Sequence, residues 1–229
     1  KMTPVNAETR ISIIGGTGAL GSGLALRWAK AGCQVTIGSR DSERAVVVAA
    51  ELSKKAGATI TGVGNREAAE AGDIVVLTVP FANHQDTLKL VKPYVAGKIV
   101  IDVTVPLIPP KVRTVQLPEV GSAAKASQLF LGEDVRVVSA FQNIAATHLA
   151  DLDHHIDCDV FVCGNDPAAR ATVVEWVTKA GMKGWQAGRI DNSAVAEAMT
   201  SALIFINAHY KIDGAGIRVT GSPLATETH

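Results

Sequence analysis

Short runs of apolar residues alternate along the chain with longer stretches in which apolar and polar positions recur at helical spacing. The first run, Ile11-Ser12-Ile13-Ile14, is too short for a helix and suits a strand buried on both faces. Residues 24–31 then read as helix, Gly32 closes it, and 33–38 form a second strand. Further strands are expected at 58–63, 73–79, 98–104, 136–141 and 158–163, with amphipathic stretches between them. This alternation predicts a doubly wound α/β fold, a mostly parallel sheet with helices on both faces. Residues 106–121, with Pro109-Pro110 and Pro118, read as an irregular excursion beyond the fifth strand, placed to wall a site. The last helical stretch, Ser193–Tyr210, is apolar around much of its circumference and must be buried on more than one side. The expected organisation is a main unit over 8–190 and a C-terminal helix and tail over 191–229, the helix meeting a second copy of the chain in a homodimer.

Between the first strand and the first helix lies Gly15-Gly16-Thr17-Gly18-Ala19-Leu20-Gly21, in which Gly16, Gly18 and Gly21 fit G-x-G-x-x-G. In a strand–turn–helix context these glycines permit a tight turn and close approach of a pyrophosphate, which the free amides of the helix start hold. The pattern therefore predicts a Rossmann-type dinucleotide site. The tip of the second strand selects the nucleotide, because a carboxylate there bonds the ribose 2′-hydroxyl of NAD and repels a 2′-phosphate. Here the tip is Ser39-Arg40, with Arg44 one helical turn further on, and this set of a hydroxyl and two guanidinium groups predicts NADP. Asp41 and Glu43 interleave with them and would make the same stretch a solvated charge run if no phosphate bound.

Composition narrows the partners. The 229 residues include 22 basic and 22 acidic side chains, so no global field favours nucleic acid or an anionic membrane. No apolar run reaches the roughly 20 residues needed to cross a bilayer, and Lys1-Met2-Thr3-Pro4 lacks an apolar signal core. A soluble cytoplasmic protein acting on small molecules is expected. Cys33, Cys158 and Cys163 show no C-x-x-C spacing and read as buried packing in a reducing compartment.

Ligands of open parallel sheets sit beyond the carboxyl ends of the strands. Those ends are Thr78-Val79-Pro80-Phe81, Thr104-Val105-Pro106 and Phe141-Gln142-Asn143-Ile144, each coupling an apolar wall to a polar side chain, as two stacked flat rings require. Familiar catalytic sets are missing. Tyr94 and Lys98 have Tyr-x-x-x-Lys spacing, but Pro93 and Gly97 keep them off one helical face. His148, His154, His155, Cys158 and Cys163 match no zinc spacing, so no metal site is expected, and no G-x-S-x-G elbow anchors a hydrolase. Hydride transfer between two cofactors needs ring positioning more than an acid or base.

The turn at 15–21 with Gly23-Leu24-Ala25-Leu26-Arg27, the Gly38-Ser39-Arg40 tip, Val76-Leu77-Thr78-Val79-Pro80, Val138-Ser139-Ala140 and Asp159-Val160-Phe161-Val162-Cys163-Gly164 together resemble the NADPH-dependent coenzyme F420 reductases, or F420H2:NADP oxidoreductases. The resemblance continues through Gly188, Asn192-Ser193 and Gly216-Ile217-Arg218, almost the whole chain. It implies reversible hydride transfer between C5 of the deazaflavin F420 and C4 of the nicotinamide of NADP, in a cytoplasmic homodimer. By motif, Gly16, Thr17, Gly18, Ala19 and Leu20 would hold the pyrophosphate, and Ser39, Arg40 and Arg44 the 2′-phosphate. Thr78, Val79, Pro80, Val105 and Ala146 would border the nicotinamide and its ribose, and Phe81, Gln142, Asn143 and Ala215 the second substrate, with no catalytic side chain. Three departures fall on the second-substrate side: Gln142-Asn143 in place of a histidine and a threonine, Phe81 in place of tryptophan, and Leu107-Ile108-Pro109-Pro110 after the fifth strand. F420 also carries anionic groups, for which Lys111, Arg113 and Lys125 are the candidate basic rim.

Two other readings keep the nucleotide. An NADPH-dependent reductase of a flavin or a small carbonyl or imine metabolite would, for the carbonyl, need a proton donor such as Tyr94 or His84 in the pocket. A sensor would bind NADP and reduce nothing.

Overall fold

The strands obey the pattern of alternating faces that the apolar runs dictate. In the computed structural model, which describes residues 8–223, they are β1 (Arg10–Ile14), β2 (Gln34–Ser39), β3 (Ile60–Gly64), β4 (Ile74–Leu77), β5 (Ile99–Asp102), β6 (Arg136–Ser139), β7 (Asp159–Gly164) and β8 (Lys183–Gln186). They form one sheet in the order β3-β2-β1-β4-β5-β6-β7-β8. β1 to β6 are parallel, β7 runs antiparallel to β6, and β8 is parallel to β7.

The helices are α1 (Ala19–Lys30), α2 (Ser42–Ala56), α3 (Asn65–Ala71), α4 (His84–Val91), α5 (Ala123–Leu131), α6 (Ala146–Ala150), α7 (Pro167–Lys179) and α8 (Ser193–Tyr210). Side chains alternate across the sheet with period two. Ile11, Ile13, Ile74, Val76, Ile99 and Ile101 point to the face covered by α1, α2 and α7, where Trp28 and Trp176 meet edge to face at 5.6 Å. Ile14, Val75, Leu77, Val100 and Val137 point to the face covered by α3, α4 and α5. Both faces are thus buried, as a parallel sheet demands. The expected N-terminal residues Lys1-Met2-Thr3-Pro4 and the end of the expected tail lie outside the described residues.

Local chemistry sets the helix ends. Asp41, Ser122 and Asp166 cap α2, α5 and α7 by accepting from Arg44 N at 3.1 Å, Lys125 N at 3.0 Å and Ala169 N at 2.6 Å. α1 differs, because Gly18 at its N-cap supplies no side chain and leaves the first-turn amides to whatever binds there.

The structure corrects several boundaries. The runs expected as strands at 73–79, 98–104 and 136–141 stop at Leu77, Asp102 and Ser139; beyond them Val103, Ala140 and Phe141 leave the ladder but stay in the core. The run at 58–63 is shifted to Ile60–Gly64 and that at 158–163 to Asp159–Gly164. β8 was not expected: Lys-Gly-Trp-Gln has no apolar run, because it is a half-covered edge strand. The excursion at 106–121 contains no regular helix or strand, and α8 occupies the expected residues.

Candidate functional site

The strand order reverses between β1 and β4, so a crevice opens where the loops after these strands part. The loop after β1 is built by close contacts. Gly15 sits at φ +73°, a left-handed conformation, and its N–H donates to Asn65 Oδ1 at 3.1 Å. A Cβ on Gly21 would come within 2.6 Å of Thr78 Oγ1, so glycine there lets α1 press against the loop after β4. Gly18 is the contrast: its nearest protein atom to such a Cβ is Gly15 O at 3.4 Å, and it faces the opening.

The crevice is a groove of about 620 Å³. Its lining includes Thr17 and Gly18 of the glycine turn, Ser39, Arg40 and Arg44 from the β2 tip and the start of α2, and Thr78, Val79 and Pro80 after β4. Among the described residues neither guanidinium is spent on a carboxylate. An uncapped helix start, an open glycine and two uncommitted arginines at the β2 tip together fit a dinucleotide with a phosphate on its adenosine ribose. Gly16, Ala19 and Leu20 do not line the groove: the Gly16 N–H donates to Gly38 O at 2.9 Å, and Ala19 and Leu20 begin α1. A wall that the sequence reading missed comes from α3 and the first turns of α4: Asn65, Asn83, Asp86, Thr87 and Leu90. The polar-rich start of α4 carried no motif to mark it.

The chain is similar to known proteins. Residues 10–106 fit the family model described as NADP oxidoreductase, coenzyme F420-dependent. The chain is 41% identical over 220 residues to the F420-dependent NADP reductase of Methanocaldococcus jannaschii, covering 92% of this chain and 98% of that protein. It is 39% identical over 223 residues to the F420-dependent NADP reductase of Methanothermobacter thermautotrophicus, covering 93% and 96%. The chain belongs to the F420-dependent NADP reductase family. A crystal structure from Arthrobacter sp. FB24, provisionally described as an F420-dependent NADP reductase, shares the fold with a TM-score of 0.78 at 24% identity over 92% of this chain and 99% of that one.

Around this groove, the remaining expected residues fall into separate groups. Phe81 follows Pro80 in a 3₁₀ turn and is half-buried, its ring stacked on His84 with centroids 6.1 Å apart. Val105 is half-buried after β5. Ala146 starts α6, which packs against α1. Ala215 is held by its N–H to Asn207 Oδ1 of α8 at 2.7 Å, and a Cβ on the neighbouring Gly214 would come within 2.9 Å of Ala145 Cβ. The structure thus brings Ala215 beside the start of α6.

Gln142 and Asn143 are turned inward. Gln142 Nε2 donates to Asp102 O at 2.9 Å, and Asn143 Nδ2 donates to Asp159 O at 3.0 Å. Gln142 Oε1 and Asn143 Oδ1 are buried without a protein partner. The bend that carries them is made by Phe141, which holds φ +69°, rare for so large a side chain, while its ring packs edge to face on Trp28 at 5.9 Å.

Of the basic rim, Lys111 and Arg113 are exposed, whereas Lys125 is paired with Asp191 at 2.6 Å. Tyr94 lies in a 3₁₀ turn under the Arg66 guanidinium, and Lys98 donates to Ala69 O and Glu70 O, so the two do not form an acid–base couple. His148 and His154 stack at 4.2 Å, and no group of three metal-ligating side chains is gathered among the described residues. Burial pushes the Cys163 thiol up to about 11 and raises that of Cys158, which leaves neither poised as a nucleophile.

Proposed function

We propose that this protein transfers a hydride between C4 of NADP(H) and C5 of coenzyme F420. The observation that carries the reading is the groove lined by Gly18, Arg40 and Arg44, in a chain 41% identical over nearly its full length to an F420-dependent NADP reductase. The nicotinamide and deazaflavin supply the redox chemistry when bound; the chain supplies position. Thr17, Gly18 and the first amides of α1 take the pyrophosphate, with Gly16, Ala19 and Leu20 shaping the turn. Ser39, Arg40 and Arg44 take the 2′-phosphate. Thr78, Val79, Pro80, Val105 and Ala146 wall the nicotinamide, and Phe81, Ala215 and the loop of Gln142 and Asn143 wall the deazaflavin.

The carbonyl alternative loses its donors here. Tyr94 lies away from the groove under Arg66, and His84 Nε2 is engaged by Asp102 at 2.9 Å inside the protein. A two-cofactor transfer needs neither.

The same reading includes a homodimer, with residues 191–229 as the dimer contact and a second-substrate wall. Val195, Phe205, Tyr210 and Ile212 of the α8 region are exposed, as are Ile108, Val115 and Val120 of the excursion, which packs on α8 through Ser201 Oγ donating to Thr114 O at 3.4 Å. A joint apolar surface of this kind supports pairing with a second copy. A cytoplasmic setting agrees with the three cysteines being unpaired, and no described helix is long and apolar enough to cross a membrane.

The direct test is isotopic. NADPH deuterated at C4 on the transferred face should deliver its label to C5 of reduced F420, with no label entering from D2O. Label lost to solvent would contradict direct hydride transfer.

A further inference from the structure

The ends of β4, β5 and β6 each send a loop to the same side of the sheet, and one residue ties the loops together. Asp102 is the last residue of β5 and has no exposed surface. Its Oδ1 accepts from Thr104 N at 2.9 Å, which fixes the chain as it leaves β5. Its Oδ2 accepts from His84 Nε2 at 2.9 Å and from Ser127 Oγ of α5. Its carbonyl accepts from Gln142 Nε2 at 2.9 Å in the loop after β6, and the Gln142 carbonyl accepts from Thr200 Oγ1 of α8, also at 2.9 Å. His84 opens α4, and on it stacks Phe81, the first aromatic residue after β4.

These residue types also make up a hydrolytic triad, and the geometry excludes that role. A triad places the carboxylate and the serine on different imidazole nitrogens. Here Ser127 Oγ and Asp102 Oδ2 both meet Nε2, and all three side chains are buried. Burial opposes the Asp102 charge, yet the hydrogen bonds from His84, Ser127 and Thr104 outweigh it and hold the carboxyl below its usual range. A carboxylate only accepts, so Nε2–H is the donor in the His84–Asp102 bond. None of Asp102, His84 and Ser127 lines the nucleotide groove.

An apolar trio would fill the same space without the cost of burying a charge. What directed hydrogen bonds add is a single orientation for the groups they join. We propose that Asp102, acting through His84, is a positioning residue for hydride transfer, locking the loops after β4, β5 and β6 in one register, with Thr104 and Gln142 as inward anchors, so that Phe81 and Val105 hold the second ring against the nicotinamide. The proposal rests on the F420 reading and adds to it a determinant outside the nucleotide groove.

The test compares His84→Leu with His84→Gln, whose side-chain amide reproduces a donor toward Asp102. His84→Leu should lower kcat with F420 by roughly 10- to 100-fold, the scale of an ångström-level misplacement, and raise KM for F420. Its Kd for NADP should rise far less than kcat falls, since Thr17, Gly18, Ser39, Arg40 and Arg44 are untouched although part of the groove lining comes from 78–90, and His84→Gln should recover most of the rate. Unchanged kcat and KM for F420 in the folded Leu variant, or a loss of NADP affinity as large as the loss of rate, would overturn the proposal. A second readout does not depend on turnover. Amide hydrogen exchange in His84→Leu should quicken together in loops 78–84, 102–105 and 140–143 while the strands stay protected; quickening confined to α4 would also overturn it. A wild-type protein that binds NADPH but does not reduce F420 would count against the function, and the exchange pattern would still decide the role of Asp102.

Discussion

Arg40 is the residue on which the proposed nucleotide preference turns. It is exposed at the β2 tip, uncommitted to any carboxylate among the described residues, and lines the groove beside Ser39 and Arg44. Arg40→Ala should weaken NADP by about 1.5–3 kcal/mol and leave NAD nearly unaffected, as isothermal titration with both nucleotides would show; equal losses for both would contradict the 2′-phosphate assignment. Arg27 is its structural opposite. Its guanidinium is buried in the fold and donates to the carbonyls of His148, Leu149, Asp151, His154 and Ala180, pinning the segment after α6 onto α1. Burial lowers its pKa, with Asp151 opposing. Arg27→Met would leave these carbonyls without their shared donor and should destabilise the protein by about 3–5 kcal/mol, visible as a fall in Tm on the order of 10 °C. Arg40 was legible in the sequence because the β2 tip is a fixed distance from a glycine motif. The role of Arg27 was not, since its partners lie more than a hundred residues away, in α6, the segment after it and the end of α7, and all are backbone atoms.

At the scale of elements, the N-terminus of α5 carries a pH dependence. Glu197 of α8 is buried and accepts from Ala123 N at 2.6 Å and Ala124 N at 3.3 Å. Burial, with the nearby Asp102 charge adding to it, pushes its carboxyl up to about 8 against the pull of those two amides. The unfolded chain releases this proton near the ordinary glutamate value of about 4.3. Between there and about 8 the folded state holds a proton that the unfolded state lacks, so this group's contribution to stability falls as pH rises through that window. Glu197→Gln cannot ionise and keeps one acceptor, so its stability should be flatter than wild type between pH 5 and pH 8, as denaturant melts at several pH values would reveal. The strand ends teach a related point. The apolar runs overshoot β4, β5 and β6 because Val79, Val103 and Phe141 continue to be covered after the ladder stops, by the site and the core instead of by helices. Hydrophobicity registers burial, not pairing, so covered residues past the end of the ladder were read as strand. β8 was lost for the converse reason: its Lys183 and Gln186 are exposed and its ladder is made by backbone.

At the scale of the molecule, the doubly wound sheet was legible because a buried parallel strand and an amphipathic helix leave different periods in the chain. The Asp102, His84 and Ser127 cluster was not, because it joins β5, α4 and α5 through single polar residues with no motif spacing. The apolar surface of α8 and the excursion leads to a prediction at this scale. Phe205 is half-exposed and stacked on His209 with centroids 5.7 Å apart, so it forms part of that surface without supporting the core. Phe205→Asp should convert a dimer to a folded monomer in sedimentation velocity, whereas a wild-type monomer would contradict the pairing. The central claim concerns chemistry, and one assay reaches it most directly. Purified protein is mixed anaerobically with NADPH and oxidised F420, and the deazaflavin absorbance is followed, with NADH in place of NADPH and with FMN or FAD in place of F420 as parallel reactions. The account predicts rapid bleaching of F420 with NADPH, far slower bleaching with NADH, and little reduction of the flavins; NADPH binding without F420 reduction, or turnover with a flavin alone, would contradict it.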